Sequence, residues 1–323
     1  MKKKVLLWVL TITFIFCTFP MFAQVTTTQS KSRFPQDFHL TSNITGRTIF
    51  LGDSTAGDTS QLRREVKQTR NFYIAKYEVT VFEWNRVIGR DRTNLQAGMQ
   101  FFNDGNMPMT GVTWYDAIEY CNRRSKQDGL TPVYTVNRTR NDITVTWNKS
   151  ANGWRLPTDN EWEIACRAGT TAKYHFGDRL SSSQANFNNS RNGPRAVGSY
   201  TANAWGLHDM HGNVWEWVWD WYDDFTMGDD GGTPRRLGTL VDYSGPARRP
   251  ALDDRFLTDI GILYGDYRVI RGGSWAERDA YCTSATRMAL HANYYSNDQP
   301  MLYARFYWGK NGIVGFRIAR NAN

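Results

Sequence analysis

A fixed frame near the C-terminus encloses a stretch without regular periodicity, and this layout constrains the fold more than any other feature. The frame consists of Arg268–Trp275, which reads RVIRGGSW, and Gly315–Ile318, which reads GFRI. Between them lies AERDAYCTSATRMALHANYYSNDQPMLYARFYWGKNGIV, a mixture of aromatic, small, amide and charged residues with neither a helical nor a strand period. Scaffold segments that flank such a stretch are typical of a surface whose loops bind a ligand. We therefore predict a display region at about 275–314.

Aromatic side chains of the display region are candidates for ligand contact, because they supply a large contact area at a low entropy cost. They are Tyr281, Tyr294, Tyr295, Tyr303, Phe306, Tyr307 and Trp308. The alternative is that these rings belong to the hydrophobic core. Tyr294 and Tyr295 lie next to Asn293, Ser296 and Asp298, and these polar neighbours favour exposure of the pair.

The N-terminus has the pattern of an export signal. Lys2–Lys4 precede a largely apolar run, Val5–Phe16, which is too short to span a bilayer. Cleavage after Ala23 would release a signal peptide of residues 1–23, whereas lipidation of Cys17 would leave an anchored chain. Both routes predict an exported protein that is secreted or held at the cell surface or outer membrane. We read residues 24–33 as a linker and 34–323 as a single domain.

The charge balance excludes an obvious nucleic-acid partner. The formal charge is +8, and removal of residues 1–23 deletes three lysines and no acid, which leaves +5. The excess is spread along the chain in short pairs and forms no basic run, so a solvated surface explains it best. Cys121, Cys166 and Cys282 remain after such a cleavage, and they have neither disulfide-framework nor zinc-site spacing. We expect Cys121 and Cys166 to be small core residues.

Three helix starts share one capping device. Thr80-x-x-Glu83, Thr113-x-x-Asp116 and Thr158-x-x-Glu161 each place a hydroxyl at the N-cap and a carboxylate at the third helical position. Strand-like segments surround these helices, including 72–74 and a hairpin of 133–136 with 143–147. Thirteen tryptophans and 27 glycines indicate an α+β fold of low regular content, in which indole rings pack irregular loops.

Five motifs in a fixed order resemble the formylglycine-generating-enzyme, or sulfatase-modifying factor, domain family. They are Asn71–Thr80 (NFYIAKYEVT), Val112–Ala117 (VTWYDA), Trp154–Glu163 (WRLPTDNEWE), Gly206–Trp217 (GLHDMHGNVWEW) and the C-terminal frame. The resemblance runs from about Phe50 to Arg320. It implies that family's variant of the C-type lectin fold, with little regular secondary structure.

The resemblance does not imply that this chain has the oxidase activity of the family. That oxidase binds copper with two cysteines that follow a Gly-Gly-Ser-aromatic motif. Here the second position is Cys282, but the first is Glu277. Because Cu(I) prefers two thiolates, the sequence predicts no copper and no formylglycine generation, and therefore no catalytic residues.

The chain is more similar to a non-catalytic branch, the variable proteins of bacterial diversity-generating retroelements, of the treponemal type. In those proteins a C-terminal segment is rewritten at template adenines, which varies the ligand-binding side chains. Asparagine codons altered in this way would give the residues at thirteen positions of the display region. These positions are Ala276, Asp279, Ala280, Tyr281, Thr286, Ala289, Leu290, His291, Asn293, Tyr294, Tyr295, Ser296 and Asp298. Glu277, Met288 and Trp308 do not arise from such codons.

Calcium is the cofactor that the resemblance offers. Asp209, Gly212, Val214 and Glu216 fall on a calcium site of the family, with carboxylates from the two acids and main-chain oxygens from the others. The alternative is that both acids cap or pair locally. A second family site near Asn186 and Phe187 lacks an evident acidic partner in Asn188–Tyr200.

Together these patterns favour an exported, surface-displayed binding protein whose ligand is a protein or a glycan on another cell or on a host. We expect a monomer that contacts a membrane only through a lipid anchor and binds no nucleic acid. Two alternatives stay open. One is a copper oxidase or related metalloenzyme that uses Cys282, and the other is a structural component of an envelope or motility complex.

Overall fold

Three helices and short strands, joined by long irregular segments, make up the described part of the chain. The computed structural model describes residues 37–53, 61, 63–89, 104–140, 142–188, 192–222, 238–246, 267–293 and 313–322. The helices are α1 (Val81–Val87), α2 (Trp114–Gln127) and α3 (Asp159–Arg167). The strands are β1 (Phe38–Leu40), β2 (Thr48–Leu51), β3 (Arg64–Lys67), β4 (Phe72–Ala75), β5 (Tyr134–Arg138), β6 (Ile143–Trp147), β7 (Trp215–Trp221), β8 (Leu240–Val241), β9 (Tyr267–Arg271), β10 (Arg287–His291), β11 (Val314–Gly315) and β12 (Ala319–Asn321).

Each helix begins at the predicted capping box. The threonine hydroxyl accepts a hydrogen bond from the N–H of the third helical residue, whose carboxylate accepts one from the threonine N–H. Two otherwise unpaired donors are thereby satisfied at every start. Helix α3 ends at Arg167, after which Ala168 and Gly169 both adopt positive φ. The three helix starts are therefore confirmed, and so is the hairpin, because β5 and β6 pair antiparallel.

The strands form four small sheets. Their strand orders are β1-β4-β12, β10-β9-β7-β11, β2-β3-β8 and β5-β6. Strand β7 lies inside the four-stranded sheet, where it pairs antiparallel with β9 and parallel with β11. The sheet thus joins the Gly206–Trp217 motif to both ends of the C-terminal frame. No helix in the described ranges has the length and apolar character needed to cross a membrane.

Tryptophan rings fill the interior. Trp215 and Trp217 of β7 are fully buried, as are Trp114 and Trp162 at the starts of α2 and α3. The indole N–H groups of Trp114, Trp162 and Trp217 find partners across the core, as in the bond from Trp217 Nε1 to Val112 O at 2.9 Å. Phe316 and Ile318 of the closing frame are also buried. Trp215 and Trp217 therefore belong to the core.

Buried ion pairs connect α3 to the β2-β3-β8 sheet and to the four-stranded sheet. Glu163 Oε2 accepts hydrogen bonds from Arg64 of β3 at 3.0 Å and from Arg271 of β9 at 2.6 Å. Burial alone would raise the pKa of Glu163, but the two guanidinium groups outweigh it and hold that pKa well below its usual range. The carboxylate is therefore ionised at any physiological pH, and α3 is attached to both sheets by charge.

Truncating Trp215 should destabilise the protein far more than truncating Tyr281, because Trp215 is fully buried whereas Tyr281 is 41 % exposed. Loss of a buried tryptophan costs about 3–5 kcal/mol, and most surface substitutions stay within about 0.5 kcal/mol. Urea denaturation of Trp215→Ala and Tyr281→Ala measures the difference in unfolding free energy. Similar losses in the two variants would show that Tyr281 belongs to the core.

Candidate functional site

Two glycines turn the chain out of the four-stranded sheet and into the display region. Gly272 and Gly273 have φ values of +94° and +77°, which side chains rarely tolerate. A Cβ atom on Gly273 would lie 2.5 Å from the Sγ atom of Cys282. Both positions require glycine because of their positive φ values. Position 273 also requires it because a Cβ atom there would collide with the buried Cys282 thiol.

A 3₁₀ turn, Asp279–Tyr281, carries the most exposed side chains of the described display region. Groups outside the display region hold the main chain around it. Tyr174 Oη donates to Asp279 O at 2.8 Å, and Asn188 N donates to Glu277 O at 2.5 Å. Further along, Ser284 N donates to Lys173 O at 2.8 Å. The turn is thus fixed through its main-chain atoms, while its side chains face solvent.

A neutral histidine, His211, donates a hydrogen bond to the main chain of Cys282, the residue that follows the turn. His211 Nε2 accepts from the N–H of His175 at 3.1 Å, so the ring proton is on Nδ1, which donates to Cys282 O at 2.7 Å. Burial lowers the pKa of His211 to about 3. The Sγ atom of Cys166 lies 3.8 Å from the same Nε2, but burial raises the pKa of this thiol to about 12. The pair therefore remains uncharged and does not form a nucleophile with its base.

Six of the predicted ligand-contacting residues are at least partly accessible. They are Asp279, Ala280, Tyr281, Ala289, His291 and Asn293. Eight others, Tyr294, Tyr295, Ser296, Asp298, Tyr303, Phe306, Tyr307 and Trp308, lie outside the described residues.

Three predicted contact residues are buried, and for them the prediction is wrong. Ala276 and Leu290 pack into the main hydrophobic core, where they are 6 % and 3 % exposed. Thr286 is 1 % exposed, and its hydroxyl contacts Thr283 Oγ1 at 2.7 Å and Ala280 O at 3.3 Å. These side chains hold the display region in place and cannot reach a ligand from inside the protein.

The accessible residues form two patches at opposite ends of β10. The first is the turn Asp279–Tyr281, beside the 173–188 loop. The second surrounds His291 and Asn293, where Ala292 O accepts a hydrogen bond from Trp114 N at the start of α2. Four steps along a strand separate the ends of β10 by about 13 Å. Ala289, half-buried, lies between the patches.

Glu277 is a framework residue that the sequence did not identify as one. It is 3 % exposed and lies beside Trp215. Burial raises the pKa of its carboxyl group, and the Trp215 side chain acts in the opposite direction. Burial likewise raises the pKa of the Cys282 thiol, and Glu277 and Asp279 add to the effect. The structure thus brings a buried acid, and not a second thiol, next to the Cys282 thiol.

The family's calcium position fits the residues present only in part. Both oxygens of Glu216 pair with Arg317 at 2.7 Å, and Oε2 also accepts from Trp162 Nε1 at 2.8 Å. Asp209 accepts one hydrogen bond, from Gly198 N at 2.7 Å. In the described ranges no group of three or more His, Cys, Asp or Glu side chains has a metal-binding arrangement. Glu216 is thus already satisfied, whereas Asp209 has bonding capacity left.

Negative charge nevertheless exceeds positive charge around Asp209. Glu78, Asp209 and Glu216 interact electrostatically with one another and share the cation of Arg317. Burial and the two neighbouring carboxylates raise the pKa of Glu78 well above its usual value, and burial raises that of Asp209 to about 6. The buried Oδ1 atom of Asn186 also has no hydrogen-bond partner. Such an environment favours a cation.

Comparison with known proteins identifies the class. Residues 42–322 match the sulfatase-modifying factor enzyme 1-like domain, the FGE-sulfatase family. The chain therefore belongs to this family, and the predicted mixed α and β fold of its C-type lectin variant is confirmed.

Among curated relatives, the chain is similar to the chaperone protein LppX of Paenibacillus barcinonensis, with 37 % identity over 183 residues. That match covers 47 % of this chain and 63 % of the relative. It is also similar to the formylglycine-generating enzyme of Streptomyces coelicolor, with 28 % identity, over 66 % of this chain and 62 % of the enzyme. The chain spans less than two thirds of the length of each of these relatives.

Solved structures show the same fold. Treponema denticola variable protein 1 superposes with a TM-score of 0.65 at 24 % identity, over 88 % of this chain and 95 % of that protein. PvdO from Pseudomonas aeruginosa gives a TM-score of 0.57 at 19 % identity, over 88 % and 94 % of the two chains. The predicted resemblance to the treponemal variable protein type is confirmed.

Proposed function

We propose that this protein is an exported, surface-displayed binding protein whose C-terminal loops form a variable ligand-binding surface on a lectin-type scaffold. The observation that carries the proposal is the construction of the turn Asp279–Tyr281. Groups outside the display region hold its main chain, and its side chains are free to contact a ligand. Side chains can change at such positions without loss of the backbone conformation.

The codon pattern agrees with this division. Asp279, Ala280 and Tyr281 are exposed and also fit replacement of asparagine codons at adenines. Glu277 does not fit, and its burial beside Trp215 gives a reason for a fixed residue there. Ala276, Thr286 and Leu290 fit the codons although they are buried, so accessibility selects display positions better than residue type does.

A ligand in the form of a protein or a glycan suits this surface. Tyr281, with 41 % of its surface exposed, offers an amphipathic ring beside the hydrogen-bonding group of Asp279, and Asn293 offers a further hydrogen-bonding group in the second patch. Rigid aromatic anchors combined with adaptable polar side chains are the usual composition of evolved binding surfaces. We place the protein at the cell surface as a monomer, either secreted or anchored by a lipid at Cys17.

A library randomised at the accessible positions should yield binders. The positions are Asp279, Ala280, Tyr281, Ala289, His291 and Asn293, and lysozyme serves as a model protein target. We expect selected clones with dissociation constants of about 1 μM or below and nearly unchanged melting temperatures, since surface substitutions cost little. A matched library at Ala276, Thr286 and Leu290 should lose folded protein instead. Failure of the first library, or success of the second, would contradict the proposed surface.

We further propose that the chain does not generate formylglycine. Glu277 occupies the first of the two cysteine positions of the copper-binding pair, and the Cys282 thiol at the second position is fully buried. With a sulfatase-type cysteine peptide and Cu(I), no conversion of cysteine to aldehyde should be detected by mass spectrometry. Conversion that disappears in Cys282→Ser would instead support the oxidase alternative.

Calcium binding near Asp209 is a third part of the proposal. Asp209 would supply a carboxylate, and Gly212 and Val214 would supply main-chain oxygens, with Glu216 held by Arg317 behind them. When bound, calcium would neutralise the excess charge shared by Glu78, Asp209 and Glu216.

Calcium should raise the melting temperature by several degrees at pH 8 and by much less at pH 5. The reason is that the raised pKa of Asp209, about 6, leaves its carboxyl group protonated at the lower pH, where a proton competes with the cation. Without calcium, ionising this group costs stability as pH rises from about 4 to 6. Differential scanning calorimetry with calcium or a chelator measures both effects, and Asp209→Asn serves as the control. Equal shifts in wild type and Asp209→Asn would remove Asp209 from the site.

A further inference from the structure

The outer face of the sheet β2-β3-β8 carries an unusual combination of exposed side chains. The described residues include four exposed large hydrophobic side chains, Leu40, Phe50, Val241 and Tyr281. Two of them, Phe50 and Val241, lie on this one small sheet and are the most exposed, at 50 % and 54 %. The opposite face, with Leu51 and Val66, is buried against the core. Packing within the described part of the fold therefore does not explain the exposure of Phe50 and Val241.

Strand register places these side chains together. Phe50 is opposite Glu65, and Lys67 is opposite both Thr48 and Val241, so all five point to the same side of the sheet. Two strand spacings and two residues separate Phe50 from Val241, a distance of roughly 12 Å. We call this surface, formed by Thr48, Phe50, Glu65, Lys67 and Val241, the β2-β3-β8 face.

Basic groups surround the two apolar side chains. The guanidinium group of Arg63 lies over the Phe50 ring, 4.4 Å from its centroid. Arg47 and Arg70 are exposed at the end of the sheet where Lys67 and Val241 lie. Three acids lie on or beside the face, against the four basic groups Arg47, Arg63, Lys67 and Arg70. Glu65 accepts a hydrogen bond from Thr239, and Asp242 accepts from the N–H and hydroxyl of Thr69. A third acid, Asp53, lies beyond Phe50 at the other end.

We infer that the β2-β3-β8 face docks on an anionic phospholipid surface. Phe50 and Val241 would enter the boundary between headgroups and acyl chains, and Arg63, Lys67, Arg47 and Arg70 would contact phosphate groups. Arg63 stacked on Phe50 carries its charge beside the inserted ring, as the long side chains of basic residues do at membrane interfaces. The formal charge of +5 that remains after removal of residues 1–23 adds long-range attraction.

A protein partner fits this face less well. A stable protein interface buries a contiguous apolar centre within about 1,000 Å² or more, whereas Phe50 and Val241 are separated by the polar pair Glu65 and Lys67. A lipid surface requires no such continuity, because each apolar side chain inserts independently. Docking here would not use the side chains of the display turn, because none of them belongs to the β2-β3-β8 face. The inference does not depend on the display proposal.

A fluorescent label at Thr48→Cys tests docking in the full exported chain. The described native cysteines are buried, so a thiol-reactive nitrobenzoxadiazole reagent reacts preferentially with the new cysteine. With vesicles of phosphatidylglycerol and phosphatidylethanolamine we expect a rise in emission of about threefold and quenching by lipids that carry spin labels. Phosphatidylcholine vesicles or high salt should reduce the response. A label at Ala280→Cys, on the display turn, should not respond.

Substitutions identify the face responsible. Phe50→Ser with Val241→Ser should abolish the Thr48 response, and Lys67→Glu should weaken it about tenfold in lipid affinity. The matched control, Leu40→Ser with Tyr281→Ser, removes the other two exposed hydrophobic side chains and should leave the response unchanged. The inference is overturned if the Thr48 label does not respond to anionic vesicles, or if it responds equally in the Phe50 and Val241 variant. A response to protein concentration without vesicles would indicate a second copy as the partner and also overturn it.

Discussion

The buried carboxylate of Glu163 is the interaction on which the rest of the structure depends. Its Oε2 atom accepts from Arg64 and Arg271, and its Oε1 atom accepts from Arg167 at 2.9 Å and Gly52 N at 2.7 Å. Arg64 belongs to β3 and Gly52 follows β2, in the β2-β3-β8 sheet. Arg167 is the last residue of α3 itself, and Arg271 belongs to the C-terminal frame. Removal of one member of a buried charge network costs about 3–5 kcal/mol, because the remaining charges lose their compensation. A fold with short strands is thus held by ion pairs that replace long hydrogen-bonded ladders.

The same network gives the display region a rigid base. Arg271 is the last residue of β9, and two glycines later the chain enters the segment that leads to the turn Asp279–Tyr281. His211 beneath the turn is neutral, and both of its ring nitrogens have hydrogen-bond partners. Because main-chain contacts carry the conformation, the exposed side chains contribute little to folding. In this segment the main-chain atoms therefore stabilise the fold, and the exposed side chains are left for ligand binding.

Local spacing was sufficient to predict part of this arrangement. The three capping boxes and the hairpin depend on residues close in sequence, and the buried Trp215 follows from a motif rich in large rings. The Arg271 to Glu163 pair joins residues 108 positions apart, and no local pattern reveals it.

The sequence also did not predict which side chains of the display region are accessible to solvent. Ala276, Thr286 and Leu290 have the same character as their exposed neighbours, and only the tertiary packing determines that they face inward. Glu277 has the polarity of a surface residue, yet it is buried beside Trp215. The sequence order of the motifs identified the family, but the division between fixed and variable side chains required the three-dimensional structure.

Saturation mutagenesis of residues 274–293, scored by resistance to proteolysis on a display host, tests this division most directly. We expect every substitution except proline to be tolerated at Asp279, Ala280 and Tyr281. We expect most substitutions to reduce folding at Ser274, Cys282, Ser284 and Leu290, which are all nearly inaccessible to solvent. Equal tolerance at the two sets of positions, or intolerance at the exposed turn, would contradict the account of a fixed backbone that carries free side chains.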